Sequence, residues 1–280
     1  RSSDLNANTF NGNVAINGGT GKLGNAGALG AAANAVTING GTLDLNGIQA
    51  PVSLQYNIEG SGYTNSGAIN NSSGNNVQNG NGIHGLNLLG DTTIGANGRW
   101  DLYGTAGSTG LHGNNHNLTK VGPGSVFFID GGTNNQLEDI AVLGGTLGFQ
   151  GTNNLGDPAK TISVLGSTLA FYAIPNDVDL EKNIVLSNAF FSNAGGSLTL
   201  NAPITLMGTN TISPGYQEDN TLNVNFNGPI GGTGGLILNS VQNFTLNGTN
   251  TYSGPTIINS ATLVVVSANS SLGNSSLIEV

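Results

Sequence analysis

The 280-residue chain has no cysteine, 8 prolines, one tryptophan and one methionine, and only 8% of it is charged. The missing cysteine excludes disulfide scaffolds, thiolate metal sites and thiol nucleophiles. It does not imply a reducing compartment, because exported bacterial proteins that cross an oxidising periplasm also avoid thiols. Six Lys and Arg against 15 Asp and Glu give a net charge of −9. That balance leaves no basic footprint for a phosphate backbone, so nucleic acid is excluded as a partner. No apolar run approaches the roughly 18–20 residues of a membrane helix. The longest is Leu263-Val264-Val265-Val266, so this segment is not expected to insert into a membrane. No sustained apolar spacing of three and four is present, so helices are not expected. The chain opens Arg1-Ser2-Ser3-Asp4 with no apolar segment behind it. It is expected to be cytosolic, or a mature or excised piece of an exported protein.

What is present is 46 glycines and 43 asparagines, nearly a third of the chain. Ordinary globular proteins carry about 25% charged residues, so this is not an ordinary enzyme composition. Glycine- and serine-rich chains often fail to bury a core. Here, however, 37% of residues are hydrophobic, and they are patterned. Collagen is excluded, because glycine does not recur at every third position.

The pattern is a repeat. Val14-Ala15-Ile16-Asn17-Gly18-Gly19-Thr20 recurs at an offset of 22 as Val36-Thr37-Ile38-Asn39-Gly40-Gly41-Thr42. Ile140-Ala141-Val142-Leu143-Gly144-Gly145-Thr146 recurs at the same offset as Ile162-Ser163-Val164-Leu165-Gly166-Ser167-Thr168, with a weaker echo at Ile184-Val185-Leu186. Thr256-Ile257-Ile258-Asn259-Ser260-Ala261-Thr262 is read in the same register, and Ile278-Glu279-Val280 would start one more copy. Within a copy, apolar and polar residues alternate, as half-buried strands require. Gly-Asn breaks between them tolerate the positive φ of a sharp corner. Short strands, Gly/Asn corners and a period near 22 describe an all-β right-handed parallel β-helix, a single-stranded solenoid of about 22 residues per coil. Inward columns are expected along Val14 and Val36, Ile16 and Ile38, Ile140 and Ile162, and Val142 and Val164, with asparagine ladders at the corners. Residues 1–280 are read as one solenoid, broken by a polar insertion loop at 61–84 and shorter excursions at 104–117 and 210–220.

Asn250-Thr251-Tyr252-Ser253-Gly254-Pro255-Thr256-Ile257-Ile258-Asn259-Ser260-Ala261-Thr262-Leu263, followed by Ser271-Leu272-Gly273, resembles the autotransporter-associated β-strand repeat, with Ala261 where that family has glycine. Asn8-Thr9-Phe10-Asn11-Gly12 through Gly19-Thr20, with Ala28-Leu29-Gly30, forms a second copy. Leu118-Thr119-Lys120-Val121-Gly122-Pro123-Gly124 resembles the lead-in of a third, more divergent copy ending at Gly144-Gly145-Thr146-Leu147 and Asn154-Leu155-Gly156. The motifs cover about half the chain. The resemblance implies a passenger region of a type V secreted protein, a right-handed β-helix outside a Gram-negative-type cell. Such passengers act in adhesion, in aggregation or as stalks.

Chemistry is sparse by comparison. Gly40-Gly41-Thr42-Leu43-Asp44-Leu45 is close to a calcium β-roll core, but Leu43 stands where that core needs glycine. Thr20-Gly21-Lys22-Leu23 lacks the first glycine and the Ser/Thr of a phosphate loop. His112 and His116 would share a face only on a helix, which Gly113-Asn114-Asn115 opposes. Asp177, Asp179 and Glu181 alternate and could face one way on a strand, the best candidate for a calcium site. Asp130, Glu138 and Asp139 are the best acidic group, but the two Arg, at 1 and 99, and the four Lys, at 22, 120, 160 and 182, are too spread to cluster beside them as a glycan-cleaving site needs. Trp100 and Tyr103 are the candidate ligand face, offering rings for a glycan to stack on. Ile278 and Val280 are candidate self-association residues, forming a strand without a polar cap.

The expected protein is therefore a non-enzymatic, extracellular or cell-surface β-helix without cofactor. It would act in adhesion or self-association, with itself, a neighbouring cell surface or a glycan as partner. A filament subunit formed by end-to-end stacking is the alternative, and a polysaccharide-degrading enzyme the minor one.

Overall fold

The computed structural model describes residues 7–31, 33–49, 54–78, 82–104, 110–129, 136–150, 155–172, 178–194, 197–214, 223–239, 243–259, 264–266 and 272–280. Apart from one 3₁₀ turn at Tyr63–Asn65, every regular element among them is a strand. Among the described residues every strand pair is parallel, and partners lie one coil apart in sequence, as Val14 and Val36 do. This is a parallel β-helix. Contacts divide the chain into two units: residues 1–148 with 153–156, and residues 149–152 with 157–280.

In the first unit, Val14–Ile16, Ala35–Asn39, Gln55–Gly60 and Leu86–Ala96 stack as successive rungs of one sheet. The step is 22 where Val14 meets Val36, as the repeat predicts, then 20 where Val36 meets Tyr56. His116–Val121 and Leu137–Val142 continue the sheet, and the step of 22 returns where Leu118 meets Ile140. Trp100–Tyr103 stacks on Ser125–Ile129 in a second sheet. Alternation puts Val36, Ile38, Tyr56, Ile58, Leu86 and Leu88 at 0% exposure. Burying each such side chain contributes about 1.5–3 kcal/mol.

In the second unit the strands fall into three sheets. Thr161–Leu165, Asn183–Ser187, Ile204–Met207 and Ile230–Gly232 form the first. Thr168–Tyr172, Phe190–Ala194, Thr209–Pro214, Gly235–Asn239, Thr256–Asn259 and Ile278–Glu279 form the second. Val178–Leu180, Leu198–Leu200, Asn223–Phe226, Asn243–Leu246 and Val264–Val266 form the third. Phe149, Phe171 and Phe191 stack as an inward aromatic column, with centroids 6.3 and 5.6 Å apart. Phe226 and Phe244 make a second column at 6.4 Å. Offset pairs of this kind add to plain burial.

Three expectations are corrected. The described residues of 61–84 do not form an insertion loop; 79–81 lie outside them. Ile69–Asn71 pairs with both Thr42–Asp44 and Leu86–Ala96, Val77 bridges Trp100, and Ile83–His84 pairs with Trp100–Tyr103. The step there lengthens to 30, from Tyr56 to Leu86. The stretch reads as polar because most of its side chains are exposed or half-buried, and at Asn71 a buried amide takes an inward position. Asn71 is 0% exposed yet makes four hydrogen bonds, accepting from Gly47 and Ser73 N–H and donating to the carbonyls of Asn75 and Arg99. Likewise Leu111–His112, within 104–117, pairs with Leu86 and Asn87, and Leu111 is buried; 105–109 lie outside the described residues. Residues 210–214 of the third expected excursion belong to the strand Thr209–Pro214, with Asn210 and Ile212 inside; 215–220 lie outside the described residues.

A further correction concerns phase. Thr256–Asn259 stacks on Gly235–Asn239, in the sheet of Thr168–Tyr172 and not that of Thr161–Leu165. Alternation is the same on every side of a coil. The true step is 20 from Ile184 to Ile204 and 26 from Ile204 to Ile230, so a fixed count of 22 lands on another side of the coil without any change of pattern.

Tyr56 is a local misfit. Its side chain is fully buried in the first unit, and its hydroxyl has no hydrogen-bond partner among the described residues. Burial pushes its phenol pKa up. An unpaired buried hydroxyl costs about 1–3 kcal/mol. Tyr56→Phe keeps the ring and removes the cost, so urea unfolding should show a gain of roughly 1–2 kcal/mol. A loss would mean that the hydroxyl is satisfied.

Candidate functional site

The residues that carry the repeat motif have a visible task. In the C-terminal copy, the fully buried Tyr252 lies against Gly273 of the next coil, and its carbonyl accepts from Asn274 N–H at 2.7 Å. The Tyr252 hydroxyl pairs with Thr256 Oγ1 at 2.8 Å, which pairs with Ser275 Oγ at 2.6 Å. Gly273 has φ +70, and a Cβ there would stand 2.9 Å from the tyrosine ring. In the N-terminal copy, Phe10 lies against Gly30, which has φ +82 and where a Cβ would stand 2.7 Å from the ring. Asn8 Nδ2 donates to Ala28 O at 2.8 Å and Ala31 N–H to Phe10 O at 3.1 Å. Both copies thus clasp one coil to the next by an aromatic ring over a left-handed glycine, a conformation glycine adopts without steric cost.

The lead-in motif holds a device that the sequence reading missed. Lys120 is 0% exposed, and its Nζ donates to the carbonyls of Val121, Gly122 and Gly144 at 2.9, 2.9 and 3.0 Å. It occupies an inward position, in register with Ile94 and Val142. A charged residue at an apolar position of the alternation was the available signal. Burial pushes the Lys120 ammonium down to about 8. Because the folded pKa lies below the usual lysine value, the unfolded chain binds more protons between about pH 8 and 10.5. The contribution of Lys120 to stability therefore rises with pH across that window. Thermal melts of the native chain against Lys120→Met should show the native protein gaining on the variant between those pH values; parallel curves would contradict the assignment. Lys182, also buried, donates to the carbonyl of Asp157.

Asparagine acts in two ways. Buried corner amides tie coils together: Asn34 accepts from Gly12 N–H and donates to Leu29 O, and Asn210 accepts from Ala189 N–H and donates to Met207 O. Exposed amides form ladders. Asn247 donates to Asn227 at 2.8 Å, Asn227 to Asn201 at 2.9 Å, and Asn201 to Glu181 Oε1 at 2.6 Å. Glu181, a candidate calcium ligand, is thus the terminal acceptor of an amide ladder, a place suited to a carboxylate that only accepts. Asp179 is exposed beside it and Asp177 lies outside the described residues. Among the described residues, no three His, Cys, Asp or Glu come together as a metal site would need.

Trp100 and Tyr103 do not share a ligand face. Trp100 is 0% exposed and its Nε1 donates to Gly95 O at 2.8 Å, so it fills the core. Tyr103, at an odd spacing along the same strand, points to the opposite side and stacks on His84 at 5.3 Å. Its hydroxyl donates to Asp101 Oδ2 at 3.1 Å. Arg99 grips the same carboxylate, Nε to Oδ1 at 2.7 Å and Nη2 to Oδ2 at 3.0 Å, and lies 4.2 Å over the Phe127 ring. Sequence reading took the rings for the signal and overlooked Arg99, whose even spacing with Asp101 and Tyr103 was visible.

The remaining candidates are dispersed. His112 is exposed on one strand, while His116 on another lies 3.9 Å from Asp91. Hydrogen bonds from the Asn117 N–H and amide hold the Asp91 carboxyl below the usual range. Asp130 lies outside the described residues, and Asp139 N–H donates to Asn117 Oδ1. Ile278 and Val280 are 54% and 95% exposed, and Ile278 pairs with Thr256. No family model, curated protein or solved structure matches the chain.

Proposed function

We propose that the chain is a non-enzymatic, extracellular or cell-surface β-helix of the autotransporter-passenger kind, which mediates adhesion or self-association. The observation that carries this reading is the double clasp, Phe10 over Gly30 and Tyr252 over Gly273. The residues that resemble the autotransporter repeat are the ones that fasten coil to coil at both places. Their use is to make a scaffold, and the low charge suits a surface that meets others without strong repulsion. The outer amide ladder and the exposed Leu165 and Met207 supply hydrogen-bonding and apolar contacts for a neighbouring copy or cell.

Beads coated with the full chain test the reading. They should cluster with one another or adhere to cell layers above the level of uncoated beads, and the chain should leave polysaccharides uncut. Beads that stay dispersed and unbound, or release of reducing sugar ends from polysaccharide, would overturn it.

A further inference from the structure

Arg99, Asp101 and Tyr103 alternate with Trp100 and Leu102, both 0% exposed, so the three project from the outer side of the strand. His84 flanks them in register with Tyr103, and Phe127 flanks them in register with Asp101. Asp101 is only 1% exposed, and its two oxygens already receive Nε and Nη2 of Arg99 and the Tyr103 hydroxyl. The carboxylate of this cluster is therefore buried and engaged by both neighbours. Its solvent side presents a guanidinium edge: Arg99 is 29% exposed, and its Nη1 donates to nothing among the described residues. Both Arg99 Nη2 and the Tyr103 hydroxyl touch one carboxylate oxygen, so the guanidinium and the phenol are held side by side. Phe127, with the guanidinium over its ring, and the Tyr103–His84 stack border this fixed cation with half-exposed aromatic side chains.

We propose that this cluster is a binding subsite for an acidic sugar, a uronic acid residue of a polysaccharide. The deduction rests on the adhesive reading and gives it a ligand class. A pyranose presents an apolar C–H face that stacks on aromatic rings, and its carboxylate is a planar acceptor matched to a guanidinium edge. A neutral sugar lacks the charged planar acceptor that pairs with the remaining edge of the guanidinium. Asp101 acts as a positioning residue. By holding Nε and Nη2 it turns Nη1 outward and removes the rotamer entropy a free arginine would lose on binding. The net charge of −9 opposes an acidic ligand at long range, but salt screens that repulsion beyond about 10 Å at 0.1 M and leaves the contact intact.

The experiment is a nuclear magnetic resonance titration of the full chain with tetragalacturonate and with its fully methyl-esterified form, which differs only in masked charge. The acid should shift the His84, Tyr103 and Phe127 ring signals together, and the ester should bind about 10-fold more weakly. Arg99→Lys, which keeps the charge but loses the fork, should weaken binding of the acid by a similar factor of about 10. If that variant does not fold, the comparison of acid with ester on the native chain decides alone. Absence of shifts at these rings, equal binding of acid and ester, or full affinity in a folded Arg99→Lys would overturn the proposal. Beads that adhere while the acid fails to bind would remove the sugar subsite and leave the adhesive role; binding of the acid by a chain whose beads do not adhere would do the reverse.

Discussion

Trp100→Ala is expected to unfold the first unit or leave it barely stable, with a loss of about 3–5 kcal/mol. The indole is 0% exposed and sits between Val77, which it bridges, and Val126, with which it is in register. Alanine would leave a cavity that a stacked coil cannot collapse, because the rungs above and below are held by their own backbone ladders. The Gly95 carbonyl would also lose the Nε1 donor that now reaches it at 2.8 Å. Tyr103→Ala, on the outer side of the same strand, should cost much less, on the order of 1 kcal/mol. Chemical denaturation of the two variants side by side separates the core role of Trp100 from the surface role of Tyr103. Equal small losses would return Trp100 to the surface.

The fold was legible because a β-helix writes its period directly into the sequence. Val14 and Val36, and Ile162 and Ile184, are spaced by one coil and meet as rungs. What alternation does not carry is which side of the coil a strand occupies. Thr256 was therefore placed one sheet away from its true position. Nor does polarity reveal burial where asparagine replaces an aliphatic residue. Asn71 and Asn210 look like loop residues and lie inside, because one amide can satisfy donors and acceptors of two coils together. The candidate site was half legible. Tyr103 was chosen for its ring. The partners that build its surroundings, Arg99, Asp101, His84 and Phe127, lie on three strands or their edges that only the coil step brings together. The acidic neighbours of Glu181 in sequence suggest a ligand, but its neighbour in space is Asn201, one coil away.

The abundance of glycine has a cause beyond turning corners, and the second large prediction follows from it. At Gly254 a Cβ would stand 2.3 Å from the Gly234 carbonyl carbon and 2.4 Å from the Gly235 nitrogen, both backbone atoms of the coil beneath. Neither atom can give way without breaking the ladder, since Gly235 N–H donates to Gly208 O and Ser253 N–H to Gly232 O. Gly254→Ala should therefore cost about 3 kcal/mol, at the upper end of the overpacking range. Gly18 sits in the same kind of repeat, yet a Cβ there meets nothing within 4 Å, so Gly18→Ala should change stability by no more than about 0.5 kcal/mol. If glycine were present only for chain flexibility, both substitutions would stabilise by restricting the unfolded state. Calorimetric melting of the two variants beside the native chain is the most direct test that the coils lie backbone against backbone. A lowered midpoint for Gly254→Ala with an unchanged one for Gly18→Ala is the predicted result; equal midpoints in the two variants would contradict the account.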